Sequence, residues 1–315
     1  MLKSVLNRRE FVRGMLPTLA MAAVPRAFAA KVSLDDRYVA ILSDIHISAL
    51  NERVFYACGC VADRIAAILR RDPLPKNVVV LGDIAYLYGK EEDYRKALPL
   101  FKPLTDLGIT VTFALGNHDR RDRFWSVFGE LAGKSLVDGR QVVVASAANV
   151  DLLLLDSLNE PPTDDRWITP GTLDAKQGEW LAEALPKWSR PVIVCAHHHF
   201  YELKVGGKPL MELLHRCPNV MGYMHGHAHF WKKDAHESWR MFDVIRSLSV
   251  SCAGIWGDIG YGWMTSQPDL CRVENEESDF YFFEPVPKEK RPPIWDRMVR
   301  ENAGDSIEFR LRNLS

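Results

Sequence analysis

Three apolar runs in the first half of the chain each lead into a carboxylate, and this pattern constrains the fold more than any other feature. Tyr38–Asp44 reads YVAILSD, Asn77–Asp83 reads NVVVLGD, and Thr110–Leu115 reads TVTFAL before Gly116-Asn117-His118-Asp119. Uninterrupted runs this short and rich in β-branched residues are strands buried on both faces. Between the first two, Glu52–Arg71 carries Val54, Cys58, Val61, Ile65 and Ile68/Leu69 on one helical face and is stopped by Pro73 and Pro75. Between the second and third, Glu91–Leu107 is expected to be a helix bent at Pro99 and Pro103 and capped by Gly108. Strand–helix–strand units of this kind form parallel sheets with right-handed crossovers. All three strands therefore end on one rim, where open α/β sheets place their ligands.

The rest of the chain changes pattern. Gln141–Ala147 and Val150–Asp156 form an antiparallel hairpin, and Leu173–Leu185 a helix. Pro191–Ala196 is a strand leading into His197-His198-His199, Leu210–Arg216 a short helix, and Val220–Met224 a strand leading into His225-Gly226-His227-Ala228-His229. Strand-like pieces follow near Met241–Val244, Leu248–Cys252, Leu270–Val273, Tyr281–Phe283 and Ile307–Arg312, with a charged, proline-rich wrapping loop over Glu274–Ala303. Parallel units followed by hairpins point to two mixed sheets packed together with helices outside, in one domain.

Residues 1–29 are read as a targeting segment. Asn7-Arg8-Arg9-Glu10-Phe11-Val12-Arg13 has the arginine pair of a twin-arginine export signal, and Ala27-Phe28-Ala29 the small residues of a cleavage site. The expected product is a domain over 30–315, periplasmic or secreted, with no membrane anchor left after cleavage. That body holds 35 basic against 40 acidic residues, a net charge of −5. It offers no electrostatic footprint for a long polyanion, so nucleic acid is not expected as a partner. The six cysteines show no paired framework and are read mainly as small buried hydrophobes.

Five short motifs sit at strand ends: Asp44-x-His46, Gly82-Asp83, Gly116-Asn117-His118-Asp119, His197-His198 and Gly226-His227-x-His229. Each alone is an ordinary turn composition; in this order and placement they form a constellation. Asp44 and His46 are two apart, as are His227 and His229, so on extended backbone each pair faces one way. Two such pairs facing each other can surround one metal ion. Carboxylate, imidazole and amide donors suit divalent Mn, Fe or Zn, and the absence of cysteine from the set speaks against a structural zinc ribbon.

The set resembles the calcineurin-like metallophosphoesterase family, whose motifs are D-x-H, G-D, G-N-H-D/E, H and G-H-x-H. The resemblance implies a four-layer α/β/β/α sandwich. It further implies two divalent metals, one held by Asp44, His46, Asp83 and His229, the other by Asp83, Asn117, His197 and His227, with Asp83 shared. His118 would contact the phosphate or protonate the leaving oxygen. Leu155-Asp156-Ser157 and Gln177-x-x-Trp180-Leu181 also resemble bacterial members of the cyclic-nucleotide phosphodiesterase branch. Where the family reads His-His-Pro or His-x-Pro, this chain reads His197-His198-His199, so register is not fixed by a proline; the strand end favours His197 as ligand, with His198 the other candidate.

The implied activity is hydrolysis of a small-molecule phosphoester, as phosphodiesterase or phosphatase, by a metal-bridging hydroxide. The alternatives are a phosphomonoesterase or 5′-nucleotidase and, in another class, a non-catalytic protein using the metal site for binding. Specificity is expected from rim loops Ile84–Asp93, Asn159–Pro170, Tyr201–Pro209 and Gly254–Gln267. The last carries Trp256, Tyr261 and Trp263, read either as a packed loop or as a stacking platform.

Overall fold

The alternating pattern of the strands builds four layers. In the computed structural model, which describes residues 33–49, 55–234, 245–254, 258–276 and 302–312, the first three strands are β1 (Leu34–Leu42), β2 (Leu74–Leu81) and β3 (Thr110–Ala114). Then come the hairpin β4 (Val143–Ser146) and β5 (Asp151–Leu154), the short β6 (Gly171–Thr172), β7 (Val192–Ala196) and β8 (Leu203–Val205). They are followed by β9 (Val220–His225), β10 (Lys232–Lys233), β11 (Ser247–Ser249), β12 (Gly262–Ser266), β13 (Leu270–Asn275) and β14 (Ser306–Arg310). One six-stranded sheet runs β14-β13-β12-β1-β2-β3 and the other β10-β11-β9-β7-β5-β4. In the first, β1, β2 and β3 are mutually parallel; in the second, β5, β7, β9 and β11 are. The expected four-layer sandwich of two mixed sheets is therefore present.

Successive strand residues face opposite ways, and the cores follow that alternation. Val39 and Ile41 of β1 and Val79 and Leu81 of β2 pack between the sheets with Leu152, Leu154, Ile193 and Cys195. Their neighbours Ala40, Leu42, Val78 and Val80 face the helix Phe55–Leu69. On the far side, Leu153, Val192 and Val194 meet Leu181 of the helix Ala175–Ala184 and Leu210 and Leu214 of the helix Gly207–Arg216. Apolar residues on both faces explain why these strands read as continuous apolar runs and not as alternating ones.

Several boundaries differ from expectation for identifiable reasons. The expected Glu91–Leu107 helix is interrupted: Glu91–Ala97 is α-helical, Leu98–Phe101 tightens to 3-10 at Pro99, and Lys102–Thr105 is α-helical again with Pro103 in its first turn. Residues 262–266, expected within a rim loop, form β12, which pairs antiparallel with β1. Trp263 there stacks on Tyr38 at 5.4 Å, and the Arg71 guanidinium lies 4.6 Å from its ring centre. Tyr261 and Trp263 are buried, so the packed reading holds for them. The helix Arg121–Phe128, directly after the Asn117-His118 motif, was not expected. β13 runs on through Glu274 and Asn275, the expected start of the wrapping loop. The segment 1–29, the strand-like Met241–Val244 and Tyr281–Phe283, most of Glu274–Ala303, and Trp256 lie outside the described residues. No disulfide joins the six cysteines, and all but half-buried Cys58 are buried. Among the described residues no helix is long and apolar enough to cross a membrane.

Candidate metal centre

The rim beyond β1 and β2 is held by pairing that continues past the strands. Asp44 N–H donates to the Gly82 carbonyl at 3.1 Å and His46 N–H to the Asp83 carbonyl at 2.9 Å. The two carboxylates are thereby set side by side on turns, not on strands. Asp44, His46, Asp83, His227 and His229 all adopt positive φ, at 51°, 45°, 51°, 67° and 62°. Only one other non-glycine among the described residues does so, Asp234 at 48°. Left-handed backbone is disfavoured for residues with a Cβ and gathers at functional sites.

This corrects the extended-backbone argument for the i, i+2 pairs. Asp44 and His46 do converge, but through two left-handed turns. His227 and His229 part company: the His229 ring stacks on that of His46 at 5.0 Å, while the His227 ring lies 5.1 Å from His197 and 4.7 Å from His198. The two pairs therefore do not enclose one site; they contribute to two adjoining clusters. In one, donor atoms of Asp44, His46, Asp83 and His229 all lie within 4.8 Å of one another, and in the other so do those of His197, His198 and His227. Asn117 joins the second cluster through its Oδ1, 3.2 Å from His197 Nε2.

Asp83 stands between the two. Its Oδ2 is 3.2 Å from His197 Nε2 and 3.6 Å from His46 Nε2, while Oδ1 accepts the His118 N–H at 2.9 Å. Space is kept for this arrangement by Gly116, where a Cβ would strike the Asp83 side chain and lie 2.6 Å from its backbone nitrogen. At Gly82, with φ +92°, a Cβ would meet His197 Nδ1 at 2.7 Å. Neither position admits a side chain.

The donor chemistry fits metal ions. His46 Nδ1 bonds the Tyr86 carbonyl at 3.2 Å and His197 Nδ1 the Leu81 carbonyl at 2.8 Å. A carbonyl can only accept, so the Nδ1 atoms carry protons and each Nε2 offers its lone pair to the cluster, the arrangement typical of ligating histidines. Burial pushes His46 down to about 3. Burial also pulls His197 down, but the Asp83 carboxylate outweighs it and raises the imidazole to about 10. Asp83 is opposed by burial and held well below the usual carboxylate range by His197 and His118. The point between Asp83 and His197 thus draws positive charge, a demand that a divalent cation meets.

His198 differs from His197 in its proton. Burial, with the His197 and His227 charges, holds it well below the usual range, so it is neutral. Ser157, itself buried, accepts the His198 backbone N–H at 3.2 Å, and its Oγ lies 2.8 Å from His198 Nδ1. The Ser157 oxygen can donate to Nδ1 or accept from it. His197 Nε2 lies 3.2 Å from both Asp83 Oδ2 and Asn117 Oδ1, which favours His197 over His198 as the ligand. His199 is a local cap: its Nδ1 accepts the Tyr201 N–H and Glu202 accepts the His199 N–H at 2.9 Å. His225 is buried at the end of β9, its Nδ1 2.9 Å from the Gly226 carbonyl.

Three supporting groups had no assigned role in the sequence reading. Asp119 accepts from the N–H of Gly116 (2.9 Å), Ala85 (3.0 Å) and Ile84 (3.1 Å) and from the Tyr94 hydroxyl (3.0 Å), tying the turn after β3 to the turn after β2. Burial, then the neighbouring Asp83 charge, raises its carboxyl to about 6. Arg121 makes two bonds to Asp156, at 2.6 and 2.9 Å, and one to Glu160 at 2.7 Å. Gln177 brackets the backbone of Asp156 at 2.9 and 2.8 Å. The Leu155-Asp156-Ser157 and Gln177 motifs thus buttress the site. Asp119 could have been singled out from its place beside Asn117-His118; the Arg121 pairing spans 35 residues and leaves no local signal.

A double-sheet α/β sandwich with two adjoining donor clusters at its strand ends defines a metallo-dependent phosphatase fold. The family model for calcineurin-like phosphoesterases matches residues 38–230, more than half the chain. The chain belongs to the calcineurin-like phosphoesterase family and is by class a metal-dependent phosphoester hydrolase. No curated protein matches the sequence. Among solved structures it is similar to a dimetal phosphatase from Danio rerio, at 15% identity and TM-score 0.60 over 76% of this chain and 96% of that one. Vps29 from Chaetomium thermophilum matches at 9% identity and TM-score 0.39, over 88% of this chain and 97% of that one. Vacuolar protein sorting 29 from Cryptosporidium parvum matches at 11% and 0.38, over 87% and 97%. At these identities the likeness concerns the fold.

Proposed function

We propose that the chain hydrolyses small phosphodiesters at a two-metal centre in which Asp83 is shared. The observation that carries this reading is the position of Asp83 Oδ2, within 3.6 Å of an Nε2 from each cluster. Asp44, His46 and His229 would complete one site, and Asn117, His197 and His227 the other. Bound there, two divalent ions supply a nucleophilic oxygen from water near neutral pH and neutralise phosphate charge.

The remaining roles belong to the chain. The His118 ring stands edge-on to His46 at 5.2 Å, and its Nδ1 lies 2.9 Å from the Leu87 carbonyl. That bond places a proton on Nδ1, fixes the ring, and leaves Nε2 to carry the proton that the leaving oxygen takes. Asp44, His46, Asp83, Asn117, His197 and His198 form a buried floor, whereas His118, His227 and His229 are part-exposed, so substrate enters on their side. The preference for a diester rests on the two arginines after the motif. Arg121 is neutralised by Asp156 and Glu160, and Arg120 donates to the Asp119 and Arg166 carbonyls. Neither guanidinium is offered to the second charge of a monoester.

The test is metal content by elemental analysis together with rates on bis(p-nitrophenyl) phosphate and p-nitrophenyl phosphate. About two ions per chain and faster turnover of the diester are expected. Faster monoester turnover would favour a phosphomonoesterase; a folded, Mn- or Zn-loaded protein inactive on both would overturn the reading.

A further inference from the structure

The loop after β5 places one large aromatic beside the residue that faces the leaving group. The Trp167 ring centre is 5.1 Å from that of His118, at a 39° tilt, and 5.8 Å from that of Tyr88. Trp167 is 39% exposed, so part of its ring surface is open to solvent. His46, His118 and Trp167 thus form a ladder from the buried floor to solvent, at steps of 5.2 and 5.1 Å.

The ladder is built in place. Arg120, directly after the Asn117-His118-Asp119 turn, donates to the carbonyl of Arg166 at 2.6 Å, one residue before the indole. Arg123 reaches both loops that make the wall, donating to the Gly89 carbonyl at 3.2 Å and pairing with Asp164 at 2.6 Å. Asn159 closes the base of the Trp167 loop through the Pro170 carbonyl at 3.1 Å. The same turn that presents His118 therefore also positions Trp167.

From this juxtaposition we propose that Trp167 is a specificity-determining residue: it takes the leaving group of the ester against its exposed indole surface and selects flat ones, aryl or nucleobase-bearing. The inference rests on the proposed role of His118. A group attached to the oxygen that His118 protonates lies next to His118, and the surface beside His118 on the solvent side is Trp167. An indole stacks on any π-face without needing a particular hydrogen-bond pattern. The preference is therefore for flatness and not for one base.

Two measurements test it on the full-length, Mn-loaded protein. The first is calorimetric binding of phenylphosphonate and methylphosphonate, which needs no turnover. Wild type is expected to bind the phenyl compound about tenfold more tightly, Trp167→Ala to lose that difference, and Trp167→Phe to keep most of it. The second is kinetic: Trp167→Ala should raise KM for an aryl diester about tenfold relative to a dialkyl ester, with kcat for the aryl ester changed far less. If wild type binds phenylphosphonate no better than methylphosphonate, or not at all, or if Trp167→Ala keeps the difference, the inference is overturned. A wild type that shows the binding difference but hydrolyses neither ester would instead count against the hydrolytic reading.

Discussion

The two clusters of the centre are built on different backbones. The acidic one, Asp44, His46, Asp83 and His229, has every member at positive φ. In the imidazole-rich one, His197 and His198 follow β7 directly, and among its histidines only His227 takes a left-handed turn. Each non-glycine left-handed residue costs about 1 kcal/mol or more, somewhat less for aspartate. The acidic cluster therefore stores conformational strain that the surrounding hydrogen bonds must hold. The imidazole-rich cluster is an extension of a strand, with the His197 ring held by the Leu81 carbonyl. The first depends on turn geometry and the second on where a strand end sets its rings.

Asp83→Asn should break the comparison, because its carboxylate faces a ring nitrogen in each cluster. The amide keeps the shape but removes the charge that faces His46 Nε2 and His197 Nε2. Metal content should fall at both sites, and kcat by on the order of 10³-fold or more. Two tightly retained ions with near-normal activity would mean that Asp83 is not the shared ligand.

Asp44→Asn and Asn117→Ala should separate the clusters, each removing about one ion and lowering kcat by on the order of 10²-fold. The two should not be mirror images. Both Asp44 oxygens accept the His227 N–H at 3.1 Å, and Oδ2 also accepts the Ser43 hydroxyl at 2.6 Å. Asp44→Asn should therefore also loosen the ion on the imidazole side, visible as a faster loss to a chelator. Equal chelation rates in the two variants would show that the acidic cluster is no more dependent on its turn than the other.

This asymmetry also explains what could be seen before the structure. The strands carrying Asp44, Asp83, Asn117 and His197 were legible because burial on both faces leaves unbroken apolar runs. Family motifs then sorted His227 and His229 into different clusters, which the extended-backbone argument did not; nothing local in Gly-His-Ala-His announces positive φ at both histidines. β12 was missed because Gly262 and its aromatic neighbours look like a loop, while its pairing partner β1 lies more than 200 residues away. Trp167 sat unmarked in a polar loop because its meaning comes from His118, nearly 50 residues earlier. Trp263, the other candidate for stacking, is instead packed against Tyr38 and Arg71. Local pattern reports burial well; it does not report which distant side chain a loop is held against.

The smallest expected effects distinguish the histidines of the imidazole-rich cluster. His197→Ala should cost about one ion, since its Nε2 lies 3.2 Å from both Asp83 Oδ2 and Asn117 Oδ1. His198→Ala should leave the metal content near wild type and lower kcat by less than about tenfold, because the ring packs against His197 and His227 and shapes the wall. Ser157→Ala should be milder still: it strips the His198 N–H of its acceptor, costing about 1 kcal/mol and a few degrees of Tm. If metal is lost in His198→Ala and kept in His197→Ala, His198 is the ligand.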